Sequence, residues 1–450
     1  MKTSFNSIII ALLVFLSTWF FSGPASAQGQ AGPMVIGLED AMHLAMELNP
    51  TLRVAEMEVE RANTGINIAL GRYLPNVSAS GGYTRNLKKP VIFLPPGSPF
   101  GDVLEIGSDN SYSAMFVAGM PVYNPALNAS LRAARAEREL AGEDLRASKI
   151  DLEYFVHSAF YDALLAKESK EVMEQSFKNA QENLELVRRM RQQGLAAEFD
   201  LIRAQVQTEN LRPTVLQTEN GYKMAVNYLK ALIGLQASQE IEVSGNLTQL
   251  AERSLTDFSI QQASRSLNRN TDMVKLNLQM NLIERQAHSI RASALPSLSL
   301  ASNYNFQTEA NDFKITDYNW VRTFAAGLRF NIPIFGGFTV RNQARQLDIL
   351  GEQIALQRDY LKENLSIQLD NILKTMTVAV EKSNTTQATV EMAERGYQIA
   401  RVRYDTGQGT LLEVNDSELA LTQSRFNLLQ AKHELLKAQA EYKKFIGENK

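Results

Sequence analysis

Apolar residues recur at steps of three and four over two very long stretches of this chain. In the second stretch Val340, Ala344, Leu347, Leu350 and Ile354, then Leu361, Leu365, Leu369, Ile372, Met376 and Val380 fall on one face. That is the spacing of an amphipathic helix packed on partners. Pro333 and Gly407 bound it. An earlier stretch, bounded by Pro121 and Gly194, is filled mainly with Ala, Leu, Glu, Lys, Arg and Gln, all good helix formers. Single helices are predicted at about 124–193 and 337–406, with Gly142 inside the first and Gly351 and Gly396 inside the second. At 1.5 Å per residue each is roughly 105 Å long, far beyond what one compact domain buries. Helices of this length need companion helices.

Each long helix stops at a glycine and the chain turns back. Leu195, Ala196, Ala197, Glu198, Phe199 and Asp200 follow Gly194, and Gln408, Gly409, Thr410, Leu411, Leu412 and Glu413 follow Gly407. Return helices are predicted at about 198–233 and 411–446. They finish at Gly234 and Gly447, which lie 40 residues after the turn glycine in both copies. Pro213 is expected to kink the first return helix, where the second copy has Phe426. A short helix is read from Leu38 to Pro50, and the helices from Thr51 to Leu74 and Ile260 to Leu295 have the size to stack on the ends of the return helices.

After Pro75 and again after Pro296 the period changes from about 3.6 to 2, the mark of a strand. Val77, Ala79, Gly81 and Tyr83 oppose Asn76, Ser78, Ser80, Gly82, Thr84 and Asn86; Leu298, Leu300, Ser302, Tyr304 and Phe306 oppose Ser297, Ser299, Ala301, Asn303, Asn305 and Gln307. Each copy then has a loop and a returning strand. The returning apolar faces are Tyr112, Ala114, Phe116, Ala118 and Met120, and Trp320, Phe324, Ala326, Leu328, Phe330 and Ile332, the latter interrupted by Arg322. Strands are predicted at about 76–88, 110–122, 297–308 and 319–332, and both returning strands run through Pro121 or Pro333 into a long helix. The polar faces are mostly Ser, Asn, Gln, Thr and Gly with few charges, which suits a wet barrel lumen better than the outer face of a soluble hairpin. Four strands cannot close a barrel, since small barrels need about eight. If the strands span a membrane, the protein is an oligomer.

Composition narrows the setting. The chain has 450 residues, with 46 Lys and Arg against 49 Asp and Glu, a net charge of -3 and a pI near 6.0. That balance argues against nucleic acid as a partner. Lys2, the apolar run from Ile8 to Phe21, the breaker Gly23-Pro24 and the small-x-small Ala25-Ser26-Ala27 read as a signal peptide over 1–27, with the mature chain starting at Gln28. The run is shorter than the roughly 20 residues a spanning anchor needs. With no cysteine in the chain, disulfides, thiolate metal sites and a lipid-anchoring Cys are excluded. The organisation is therefore a signal over 1–27, a first repeat over 28–234, a linker over 235–257, turn-rich at Ser244-Gly245-Asn246, and a second repeat over 258–450.

Catalytic chemistry is not expected. His43, His157, His288 and His433 lie far apart in helical segments without a second ligand at metal spacing. There is no phosphate loop and no nucleophile elbow. No cofactor and no metal are expected. Two other classes compete with a duct: a structural coiled-coil envelope protein that conducts nothing, and a plain diffusion porin, which has no use for about 100 Å of paired helix.

The motifs carry a resemblance that covers nearly all of the mature chain. Leu74-Pro75 and Leu295-Pro296 enter the strands, and Pro121-Val122-Tyr123 and Pro333-Ile334-Phe335 leave them. Gly194-Leu195-Ala196-Ala197 is followed by Asp200 and Ala204, and Arg403-Tyr404-Asp405-Thr406-Gly407 by Glu413, Val414 and Asp416. These fragments, in order and at repeated spacing, resemble the TolC family of outer membrane efflux proteins. The resemblance implies a mainly helical chain with a small β part, whose duplicated helical hairpins form a trimeric α-barrel tunnel in the periplasm. The four strands of each chain would contribute to a twelve-stranded barrel in the outer membrane lipid of a Gram-negative cell.

It also implies roles. Glu413 and Asp416 match the family's acidic ring at the periplasmic entrance; left to composition alone they read as solvated acids at a helix N-terminus. Asp200 and Tyr404 match the polar contacts that tie the entrance shut. A basic residue often joins that lock where Gly409 stands here, so the lock is expected to be weaker or differently built, with Arg203 as a candidate substitute. The turns at Gly194, Leu195, Ala196, Gly407 and Gly409 would meet a periplasmic adaptor, and through it an inner membrane pump. Pro75, Pro121, Pro296 and Pro333 mark the strand–helix junctions. Small molecules, metal ions and secreted proteins share such a duct, and substrate choice belongs mostly to the pump.

Overall fold

The structure, a computed structural model of the chain, describes residues 34–257 and 267–448. The expected signal at 1–27, the start at Gln28 and the first turns of the helix expected from Ile260 lie outside the described residues. The chain begins with β1 (Met34–Ile36), α1 (Leu38–Leu48) and α2 (Pro50–Gly71). There follow β2 (Asn76–Arg85), a small hairpin of β3 (Val91–Phe93) and β4 (Val103–Glu105), and β5 (Asn110–Tyr123). The first helical hairpin is α3 (Pro125–Gln192) with α4 (Glu198–Leu232). After β6 (Ile241–Val243) and α5 (Leu247–Asp257) come α6 (Thr271–Ala292), β7 (Ser297–Ala310), β8 (Val321–Asn331) and the second hairpin, α7 (Thr339–Asp405) with α8 (Leu411–Ile446). Among the described residues no helix is long and apolar enough to cross a membrane.

Helices α3 and α7 have 68 and 67 residues, about 100 Å each. Helix α4 continues through Pro213. Pro125 opens α3, close to the expected start at about 124: Asn124 caps it by accepting from the amides of Ala126 at 3.0 Å and Leu127 at 3.4 Å, and proline fits the first turn because its missing N–H has no partner there.

The β-sheet joins the two copies. Its order is β2, β5, β7, β8 with every neighbour antiparallel, so the central pair β5–β7 links one repeat to the other. Directly paired residues share a face. The register sets Val77, Ala79, Gly81 and Tyr83 beside Ala118, Phe116, Ala114 and Tyr112, then Ser302, Tyr304, Phe306 and Thr308, then Ala326, Phe324 and Arg322. The four apolar faces thus coincide on one side, where Val77, Phe324, Leu328 and Phe330 stand exposed. The other side carries Ser78, Ser80, Ser113, Asn303, Asn305 and Thr323. Strands β2 and β8 are unpaired edges within the chain.

The helices are held by separate clusters rather than one central core. The largest joins Ile36, Val156, Phe160, Leu164, Leu229, Ile233, Val243, Leu247 and Leu435, and burying each such side chain is worth roughly 2 kcal/mol. It draws in the segment expected to be a turn-rich linker. Ile241 and Val243 of β6 pair in parallel with Met34 and Ile36 of β1, and Leu247 and Ala251 of α5 are buried. Three-residue strands are too short for periodicity to reveal.

Duplication shows most clearly at the ends of the return helices. Asn49 caps α2 by accepting from the amides of Thr51 and Leu52, and its side-chain amide donates to Leu232 O at 2.7 Å. Asn270 caps α6 through Asp272 and Met273 and donates to Phe445 O at 2.8 Å. Beside them Gly234 and Gly447 end α4 and α8 at φ 79° and 70°. A Cβ on Gly234 would stand 2.7 Å from Leu48 O, and one on Gly447 would collide with the backbone of Arg269.

Candidate functional site

Both helical hairpins turn through the same hydrogen-bond pattern. At the first tip Gly194 has φ 76°, Leu195 N donates to Met190 O at 2.8 Å and Gly194 N to Arg191 O at 2.9 Å. At the second Gly407 has φ 72°, Gln408 N donates to Arg403 O at 2.8 Å and Gly407 N to Tyr404 O at 3.0 Å. A left-handed glycine whose neighbours bond back to the last carbonyls ends a helix without leaving them unpaired. Space around both glycines is open, so the requirement is conformational. The return helices begin with acids, Glu198 and Asp200 in α4 and Glu413 in α8, where the helix dipole favours negative charge. Thr410 caps α8, accepting from Glu413 N at 3.3 Å.

The two tips are packed together. Val187 of α3, Leu201 and Ala204 of α4, Tyr397 and Tyr404 of α7, and Leu411, Val414 and Leu421 of α8 form one buried cluster, against which Ala196 packs, while Leu195 is exposed. Tyr404, named from sequence as a lock residue, is only 8% exposed. Burial, and after it the Asp200 carboxylate, push its hydroxyl above the ordinary tyrosine value. An ion pair that sequence reasoning missed lies alongside: Arg401 of α7 meets Glu182 of α3 at 3.1 Å. Both ends are near half exposed, so it is worth about 0.5 kcal/mol and fixes register more than stability.

Glu413 and Asp416 are exposed at the start of α8. Arg203 is exposed on α4 and forms no ion pair among the described residues. Arg403 is the base beside the acids. Its guanidinium lies 3.7 Å from Glu413 and donates to Gln408 O at 3.1 Å. Gly409 makes room for this. A Cβ there would stand 3.1 Å from Arg403 Cβ, 3.1 Å from Tyr404 N and 3.2 Å from a Glu413 carboxylate oxygen. A side chain at 409 would crowd the arginine, so the glycine and Arg403 form one arrangement. Only the hint that a base was missing at 409 pointed to it from sequence.

The junction prolines fall into two kinds. Pro75 and Pro296 each stand directly before a strand, β2 and β7. Pro121 lies inside β5 opposite Ser299, and the register with β7 slips between Pro121 and Tyr123; a proline has no N–H for the ladder and is tolerated at such an irregularity. Pro333 follows β8 in the turn that leads to α7. Among the described residues no group of three or more His, Cys, Asp or Glu is placed to hold a metal ion.

A duplicated pair of long hairpins on a one-sided sheet is matched by the outer membrane efflux protein model over residues 41–235 and 262–448. The chain belongs to the outer membrane efflux protein family. It is accordingly an outer membrane channel of an efflux or secretion system. Two relatives are the alkaline protease secretion protein AprF of Pseudomonas aeruginosa, 22% identical over 74% of this chain and 67% of that protein, and the cobalt-zinc-cadmium resistance protein CzcC of Cupriavidus metallidurans, 22% identical over 90% and 88%. The crystal structure of CusC, a transmembrane channel, superposes with a TM-score of 0.72 at 18% identity, covering 96% of this efflux protein and 99% of CusC.

Proposed function

We propose that three copies of this efflux protein close a barrel of twelve strands in the outer membrane, and that their helices continue it as a tunnel gated where the tips meet. The observation that carries this is the sheet. Most of its apolar residues share one face, most of its small polar residues share the other, where Met115, Val117 and Val321 also lie, and both edges, β2 and β8, are open. In lipid an unpaired edge is untenable, and the remedy is closure. Pairing β8 of one copy with β2 of the next would remove every edge, with the apolar face to lipid and the Ser and Asn face to water.

Threefold symmetry would then set Glu413 and Asp416 of each copy around the entrance. Six carboxylates at a narrow mouth with low-dielectric walls attract cations and repel one another, and Arg403 offsets part of that field. Opening would require the tips to separate, driven by a periplasmic adaptor that binds the separated arrangement better, since only differential affinity shifts such an equilibrium. The adaptor would approach around Gly194, Leu195, Ala196, Gly407 and Gly409 and connect the duct to an inner membrane pump. The relatives' names include metal resistance and protease secretion, and the pump would select among such cargoes.

The test is single-channel recording of the purified protein in a planar bilayer beside the double variant Glu413→Gln, Asp416→Asn. Small cation-selective steps in the parent and reduced selectivity in the variant are expected. Unchanged selectivity in opposed salt gradients removes the two acids as the filter. No current from inserted trimers, even with adaptor present, favours a non-conducting scaffold.

A further inference from the structure

We infer that Glu418 is a positioning residue that ties α8 to α3 just inside the entrance and makes separation of the two hairpins sensitive to protons. The inference rests on the gated-duct reading above and names a regulator of that gate. Glu418 lies five residues beyond Glu413 on α8, about 7.5 Å along the helix. Unlike Glu413 it points inward and is only 6% exposed.

Its partners span the boundary between the two repeats. From α3 the Ser176 hydroxyl, 3% exposed, donates to the Glu418 carboxylate at 2.6 Å; from α8 the Thr422 hydroxyl donates to the same oxygen at 3.2 Å. Asn179 and Asn183 of α3 and Ser424 of α8 are buried nearby along the two helices. The other titratable groups that act here are the Tyr397 hydroxyl of α7 and Arg425 of α8, and Arg425 is itself held by Glu394 of α7 at 3.1 Å. No lysine or arginine of α3 is paired with Glu418 among the described residues.

A carboxylate enclosed this way is costly when ionised. Its charge has hydroxyl donors in Ser176 and Thr422, an amide donor in Asn179 and no directly bonded cation, and the penalty is relieved most simply by admitting water between α3 and α8. Burial accordingly pushes the carboxyl above its ordinary value, against the opposing pull of Ser176, Thr422, Arg425 and Asn179. The sign follows. An acid raised in the packed state stabilises that state while protonated, fully at low pH, and the contribution is lost as pH rises through the raised value. The hairpins are therefore tied most tightly in acid and loosen as pH rises through that raised value. Glu413 and Asp416 act on what passes the entrance, whereas Glu418 acts on how readily it opens.

Glu418→Gln keeps the shape and the acceptor and removes the titration. Hydrogen exchange over residues 411–425 of the assembled protein in nanodiscs, corrected for intrinsic rates, reads the tie directly. Between about pH 5 and about pH 8 protection in the parent should fall roughly fivefold while the Gln variant stays level, the scale of an ordinary coupling between sites. Open probability in bilayers should rise over the same range in the parent only. Equal pH profiles of exchange in the two proteins overturn the inference, whether or not current is seen. A pH-dependent exchange profile with no current from inserted trimers overturns the duct reading instead. Ser176→Ala should lower protection even at the acid end, because it removes the donor that crosses between the repeats; full protection there would also count against the tie.

Discussion

The far ends of the return helices and the near tips of the hairpins are built from the same glycine geometry, yet they carry different loads. At Gly234 and Gly447 the left-handed glycine is pressed against Leu48 and Arg269, beside an asparagine that caps one helix and bonds the last carbonyls of another. At Gly194 and Gly407 the same conformation stands in open space. Closed packing appears twice with the same residues in the same roles, and that agreement marks a scaffold. The tips differ between copies, Leu195 to Asp200 against Gln408 to Glu413, and under the proposed gating that divergence is where the two hairpins would take different parts.

Substitutions sharpen this contrast. Gly447→Ala and Gly234→Ala should cost most, about 3 kcal/mol or more, because a Cβ meets backbone that cannot give way and the backbone prefers glycine as well. Thermal unfolding in detergent reads this, and a loss no greater than at the tips would erase the distinction. Asn49→Ala and Asn270→Ala should follow at about 2 kcal/mol, a cap plus a partly buried hydrogen bond. Similar losses in the two copies would support equal roles, and a lopsided result would make one copy the scaffold. Gly194→Ala and Gly407→Ala should cost only about 1 kcal/mol, the left-handed penalty alone. Arg403→Ala should move stability least, under about 0.5 kcal/mol for so exposed a pair. Its effect belongs in the bilayer, as increased cation selectivity opposite in direction to the loss expected for Glu413→Gln with Asp416→Asn.

Much of the architecture was legible because it is periodic. Val340 to Val380 announced α7, and the alternation around Val77 and Leu298 announced strands whose apolar faces the register then brought to one side. What escaped was short or distant. Residues Met34 to Ile36 and Ile241 to Val243 are too brief to show a period, yet they form a parallel pair under the largest cluster. The hairpin of β3 and β4 hides in a proline-rich loop. Tyr404 and Asp200 could be named from motif position, but Arg403 could not be assigned until Gly409 was seen to clear its path. Glu418 looks like any helical acid until Ser176, some 240 residues earlier, is placed against it.

The central strand pair has a consequence for how the molecule is made. Helices and their hairpins form from neighbours in sequence, but Ser111 must find Glu309 and Pro121 must find Ser299 before the sheet exists. Bringing such distant segments together carries a large chain-closure entropy and is expected to be slow. The four-stranded apolar face is therefore completed only after β7 and β8 of the second repeat have been synthesised. Until then the β2–β5 hairpin, with Val77 and Phe116, has no β7 beside it, and the full four-stranded apolar face does not yet exist to aggregate in water.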